Sequence, residues 1–138
     1  MNADVFIDTN ILVYAHDRDA GWKHQIARDC VKELWLSKCY PAISVQVLQE
    51  LFVNLRRLGL SVEEARAIAH DYAVWRVADN TLALCLRAID EVNRWQVSYW
   101  DGLILAAARA MGVDTLWTED LNEHQDYGGI RVLNPLKR

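Results

Sequence analysis

The chain begins with an uninterrupted apolar run, Val5-Phe6-Ile7, that leaves no polar position to face solvent and stops at Asp8. A short strand apolar on both faces is the kind covered by helices on both sides of a parallel sheet. Comparable runs at Ala42-Ile43, Trp75 to Val77, Thr115 to Trp117 and Ile130 to Leu133 predict four further strands, the last set off by a Gly128-Gly129 turn. Between the runs the period becomes helical. A first helix is predicted from about Ile11, and a longer one from Trp22 to Leu36 carries Ile26, Cys30, Val31 and Leu34 on one face. Val47, Leu48, Leu51, Phe52 and Leu55 form the apolar stripe of the next helix, which Ser44 caps and Gly59 stops after Leu58.

Start and stop signals place the remaining helices. Ser61-Val62-Glu63-Glu64 has capping-box spacing and opens a helix ending near Trp75; Asn80 or Thr81 caps one that runs to Trp95. Ser98 caps a helix from Tyr99 to Met111, closed by Gly112. In that helix Leu103 to Ala108 and Ala110 are apolar around nearly the whole circumference, so it should be buried on almost every side. Strand and helix alternate throughout, which argues for an α/β fold with a parallel sheet and right-handed crossovers.

Composition narrows the function classes. The chain has 138 residues, 52% hydrophobic and 25% charged, with two prolines and six glycines. This leaves no room for a linker-rich or disordered architecture and predicts a single domain over residues 1–138. A net charge of -4 rules out a global basic field, so a nucleic-acid partner would need a local patch. Cys30, Cys39 and Cys85 are odd in number and form no C-x-x-C pair, as expected of thiols in a reducing compartment. The start, Met1-Asn2-Ala3-Asp4, has no basic leader, and no apolar span approaches membrane length. A soluble cytoplasmic protein without membrane contact is the expectation.

Four acids stand at places where a parallel sheet would gather them. Asp8 ends the first strand, Asp120 follows the strand Leu116-Trp117, Asp101 lies in the first turn of the apolar helix, and Glu50 lies in the helix after the second strand. The carboxyl ends of strands in an open α/β sheet are where ligands bind, and like charges brought together usually share a divalent cation. Each acid also has a plain structural reading. Asp8 suits a helix N-cap, Asp101 has capping-box spacing from Ser98, and Glu50 lies roughly 130° from the centre of its helix's apolar stripe at about 100° per residue, a solvated position. Asp120, its neighbour Glu119, and Asp79 could be ordinary loop acids. His16, His24, His70 and His124 lack zinc-ligand spacing, and there is no P-loop or G-x-S-x-G. The six tryptophans read as core or interface rather than base-stacking residues.

Taken in order, Val5-Phe6-Ile7-Asp8-Thr9-Asn10, Ser44 through Glu50, Ser98-Tyr99-Trp100-Asp101, Leu116-Trp117-Thr118-Glu119-Asp120-Leu121 and Gly129 through Pro135 resemble the PIN-domain ribonucleases, and within them the VapC-type toxins of toxin-antitoxin pairs. The resemblance covers nearly the whole chain. It implies a three-layer α/β/α fold with a central, mainly parallel sheet of four or five strands. It also implies catalytic, metal-holding roles for Asp8, Glu50, Asp101 and Asp120, with Thr9, Asn10, Ser98, Thr118 and Glu119 in support. Of the adjacent pair, Asp120 rather than Glu119 fits the family's Thr-x-Asp pattern.

The same resemblance implies a Mg²⁺- or Mn²⁺-dependent ribonuclease, in which one or two ions orient water on the scissile phosphate. It implies a homodimer neutralised by a cognate antitoxin protein. Arg18, Lys23, Arg56 and Arg57 are candidate contacts to RNA, and Tyr72, Trp75 and Leu58 the expected interface surface. Two alternatives remain open at this stage. One is a haloacid-dehalogenase-like phosphatase, which wants a second Asp where this chain has Asn10; the other is a non-catalytic PIN-fold binding protein.

Overall fold

The computed structural model describes residues 4–137. Met1 to Ala3, on which the reading of a leaderless start partly rests, and Arg138, the end of the expected domain, lie outside the described residues. In chain order the elements are β1 (Val5–Ile7), α1 (Thr9–His16), α2 (Trp22–Leu36), β2 (Ala42–Ser44), α3 (Val45–Arg57) and α4 (Val62–Tyr72), followed by β3 (Arg76–Ala78), α5 (Leu82–Trp95), α6 (Tyr99–Ala110), β4 (Thr115–Trp117) and β5 (Arg131–Leu133). A 3₁₀ turn at Arg18–Ala20 separates α1 from α2.

The strands form one five-stranded sheet in the order β3-β2-β1-β4-β5, every neighbouring pair parallel. Phe6 lies opposite Ala42 on one side and Leu116 on the other, and all three are fully buried, as a strand covered on both faces requires. The chain first builds outward from β1 to β2 and β3, then returns to the other side for β4 and β5. That reversal puts the switch point of the sheet at the carboxyl ends of β1 and β4, where loops diverge and a crevice opens.

Local chemistry explains the helix limits. Asp8 caps α1 by accepting from Thr9 N–H at 2.7 Å, so the helix starts two residues before the predicted Ile11. Ser44 and Ser61 cap α3 and α4, the latter with the full reciprocal box to Glu64. Of the two candidates for α5, Thr81 is the cap, accepting from Leu84 N–H at 3.1 Å. The helix α4 ends at Tyr72 rather than Trp75, and β3 is displaced by one residue from the predicted run. Gly102 to Ala108 are buried without a break, as the all-round apolar pattern of α6 predicts.

One packing detail has no signal in the apolar pattern. A Cβ on Gly102 would meet the Ala88 carbonyl oxygen at 2.7 Å and Val92 Cγ2 at 2.9 Å. The backbone of α6 therefore approaches α5 as closely as only glycine permits, one residue after Asp101.

The surface expected to form an interface is core instead. Tyr72 and Trp75 are each only 3% exposed, stacked with Trp35 at centroid distances of 5.7 and 5.0 Å, and Tyr40 joins the cluster through Trp35 at 5.5 Å. Large aromatic rings so placed contribute core burial, which is the commoner fate of a tryptophan. Only Leu58 of the three reaches solvent. The three cysteines are free thiols.

Candidate active site

Asp8, Glu50, Asp101 and Asp120 line one cleft of about 390 Å³, although they come from the end of β1, the middle of α3, the first turn of α6 and the loop after β4. Thr9, Asn10, Val13, Tyr14, Gln46, Asn54, Trp100 and Ile104 complete its wall. No Lys, Arg or His is among the lining residues, so no cationic side chain in the wall offsets the clustered negative charge.

The hydrogen bonds explain how the acids are held. Asp8 is buried and uses both oxygens: Oδ1 accepts from Thr9 N–H at 2.7 Å and Oδ2 from the Thr118 hydroxyl at 2.8 Å. The Thr118 oxygen accepts in turn from Asp120 N–H at 3.1 Å and from Asn10 Nδ2 at 3.3 Å. Asn10 Nδ2 also donates to Asp120 Oδ2 at 3.0 Å, and the Thr9 hydroxyl donates to Glu50 Oε1 at 2.7 Å. Asp8 is thus both helix cap and wall of the cleft; the structural and functional readings of this residue do not exclude each other. Ser98 caps α6 by accepting from Asp101 N–H at 3.1 Å, leaving the Asp101 side chain on the cleft.

Burial and mutual repulsion act on these groups. The Asp8 carboxyl is pushed up to about 7, chiefly by burial; the bonds from Thr118 and Thr9 oppose the rise, and the charges of Asp120 and Glu50 add to it. Asp101 is raised too, by burial first, with Ser98 opposing and Asp120 and Glu50 adding. Asp8 and Asp101 therefore each lie within electrostatic reach of both Glu50 and Asp120.

Glu119 points elsewhere. It accepts from the Tyr14 hydroxyl at 2.8 Å and from Lys23 Nζ at 3.0 Å, and does not line the cleft. Asp79 is exposed beyond β3 and is not part of the lining either. Neither are Arg18, Lys23, Arg56 and Arg57, the candidate RNA contacts: Lys23 is paired with Glu119, Arg56 donates to the Leu60 carbonyl at 2.9 Å, and Arg18 faces a separate groove with His16 and Glu64.

Sequence reasoning missed six lining residues, the apolar Val13 and Ile104 and four that are polar or aromatic. Gln46 and Asn54 stand four residues on either side of Glu50, so α3 presents a polar stripe Gln46-Glu50-Asn54 that turns the acid toward the cleft rather than into solvent. That spacing is readable in the chain. Tyr14 and Trp100 carried no comparable signal.

The donor set suits a hard divalent cation, being made only of oxygens. Asn10 strengthens the fit: its amide nitrogen faces Asp120, and its buried Oδ1 has no hydrogen-bond partner. Among the described residues, however, no three His, Cys, Asp or Glu side chains converge closely enough to hold an ion as they stand.

A family model described as the PIN domain matches residues 5–129. No curated protein is similar enough in sequence to count as a match. Among solved structures, a toxin-antitoxin complex from Klebsiella pneumoniae superposes with a TM-score of 0.67 at 21% identity, covering 95% of this chain and 97% of the other. The DNA-bound VapBC of Salmonella typhimurium gives 0.66 at 19%, covering 98% and 99%. VapC20 of Mycobacterium tuberculosis, described as a sarcin-ricin loop cleaving toxin, gives 0.64 at 25%, covering 84% and 91%.

Proposed function

The chain belongs to the PIN-domain family, and on that premise we propose that it is a metal-dependent endoribonuclease, the toxin of a toxin-antitoxin pair. The observation that carries the reading is the convergence of Asp8, Glu50, Asp101 and Asp120 on one cleft without a cationic side chain in its wall. A mycobacterial relative that cleaves the sarcin-ricin loop supports RNA as the substrate class, and solved toxin-antitoxin complexes of the same fold support an antitoxin partner. A homodimer is part of the same proposal.

Asp8, Asp101, Glu50 and Asp120 would hold Mg²⁺ or Mn²⁺, which when bound orients water and offsets the charge of the scissile phosphate. The rest is the work of the chain. Thr118 and Thr9 fix the two oxygens of Asp8, Thr9 also orients Glu50, and Asn10 ties Asp120 to the same hydroxyl. Catalytic groups held within hydrogen-bonded geometry lose little freedom when substrate arrives. Asp8, its carboxyl pushed up to about 7 by burial, can hold or release a proton at working pH.

The phosphatase alternative is not favoured. Asn10, standing where that chemistry needs an acid, donates its amide to Asp120 and Thr118. No helix of the described residues is long and apolar enough to cross a membrane. The test is cleavage of single-stranded RNA beside a phosphomonoester, with Mg²⁺ or Mn²⁺ and with EDTA. Cleavage of RNA alone, lost on chelation, is the expected result; activity surviving exhaustive chelation overturns the metal mechanism, and no cleavage under any condition overturns the nuclease reading.

A further inference from the structure

Two aromatic residues line the acidic cleft, Tyr14 and Trp100. Tyr14 is already engaged: its hydroxyl donates to Glu119 at 2.8 Å and Lys23 Nζ sits 5.1 Å from its ring centroid. Trp100 is 61% exposed, although an indole is among the larger apolar surfaces a protein can bury. The other tryptophan open to solvent, Trp22, is not in the cleft wall.

Exposure here does not mean an undefined position. The Trp100 and Tyr99 rings form a T-shaped pair, centroids 5.1 Å apart and planes at 80°, and the Trp100 carbonyl accepts from Gln46 Nε2 at 3.3 Å. Gln46 itself is buried on α3, and Gly102, two residues on, is clamped against α5. An indole held in place, largely open to solvent and one residue before Asp101, is a preformed platform.

We infer that Trp100 is a stacking site for one unpaired nucleobase of the RNA, the base adjoining the phosphate that lies over the acids. This rests on the ribonuclease reading above. The cleft's volume of about 390 Å³ suits one extruded nucleotide and not the face of a folded protein. Its wall contains no Lys or Arg, so no cationic side chain there holds the RNA backbone, and stacking supplies affinity for any base. Bases of a duplex already stack on one another, which makes the platform selective for single-stranded segments.

The test uses wild-type protein, Trp100→Phe and Trp100→Leu on a short single-stranded RNA that the wild type cuts at one mapped bond. The same RNA is then made abasic at each nucleotide flanking that bond in turn. Stacking predicts that Trp100→Leu lowers kcat/KM roughly tenfold to hundredfold, mainly through KM, while Trp100→Phe keeps most of it. One abasic position should cost the wild type the same factor and cost Trp100→Leu nothing further, with thermal midpoints unchanged. Trp100→Leu cutting both RNAs as the wild type does, or losses that simply add, overturns the inference. So does intact cleavage by Trp100→Leu with a changed hydrodynamic mass, which assigns the ring to a protein contact. A wild type that cuts no RNA removes the ribonuclease reading and this inference together, a result seen before any variant is made.

Discussion

The hydroxyl of Thr118 donates to Asp8 Oδ2 across 2.8 Å, joining residues 110 apart in the chain at the carboxyl ends of two neighbouring strands. It is the most buried bond of the cleft and opposes the burial that raises the Asp8 carboxyl.

Asp8→Asn is expected to abolish metal-dependent cleavage while helping the metal-free fold at higher pH. The folded carboxyl titrates at about 7 against an ordinary 3.8, so its contribution to stability is fully present below about 3.8 and is lost as pH rises through about 7. Each pH unit in that window costs the wild type up to about 1.4 kcal/mol, and the amide removes the slope. Denaturant titrations in EDTA should find the variant more stable at about pH 8 and the difference smaller at about pH 5. A constant difference across that range would mean that Asp8 is not the titrating group.

Asp120→Asn and Glu119→Gln should separate activity from surface pairing. Asp120 lines the cleft, whereas Glu119 is turned away to Tyr14 and Lys23. The Asp120 variant is expected to lose cleavage by orders of magnitude and the Glu119 variant by a few-fold at most, measured as kcat/KM on one RNA. The reverse ranking would make Glu119 the fourth acid.

Gly102→Ala should destabilise the protein by about 1–3 kcal/mol, the usual cost of overpacking, because the new methyl meets the Ala88 carbonyl oxygen at 2.7 Å. Cleavage should fall as well, since the displaced backbone carries Asp101. Adding Val92→Ala relieves only the 2.9 Å contact, so thermal melts should show incomplete rescue. A Gly102→Ala protein with wild-type midpoint and activity would show that α6 can shift freely.

His16 supplies a second pH dependence, of opposite sign. It is lowered from its ordinary value, by burial first and by the nearby charge of His24 second, and its Nε2 lies 2.9 Å from the Tyr72 hydroxyl. A depressed histidine gives stability that is present above about pH 6.5 and lost as pH falls, because the unfolded chain binds the proton more readily. His16→Gln should therefore lose less stability than the wild type between about pH 7 and about pH 5 in the same titrations. Parallel curves would remove His16 as the source.

The strands and helices were legible because burial is written in the apolar pattern: Val5-Phe6-Ile7 has no solvent face, and α6 has none for most of its length. Glu50 was harder. Its angle from the apolar stripe is that of a solvated residue, and only the Gln46-Glu50-Asn54 spacing shows that the polar side of α3 faces a cleft. Tyr72 and Trp75 misled for a different reason: at a helix end and a strand start their local pattern is that of a surface turn, and only tertiary packing on Trp35 buries them. Gly102 was invisible, since a close backbone approach depends on the partner helix and leaves no periodic trace.

Under the proposed ribonuclease reading, the position of β1 at the centre of the sheet also bears on when the protein could first act on RNA. Its neighbour β2 is delivered early, but β4, its other neighbour, is among the last elements to be made. Pairings between such distant segments form slowly, because the intervening chain must be ordered first. A chain still emerging from the ribosome therefore has Asp8 without Thr118 and a cleft without Asp120. The acidic cleft is completed only once the chain has been made through Asp120, which under the proposed function leaves an interval in which an antitoxin can be present before there is an active site to block.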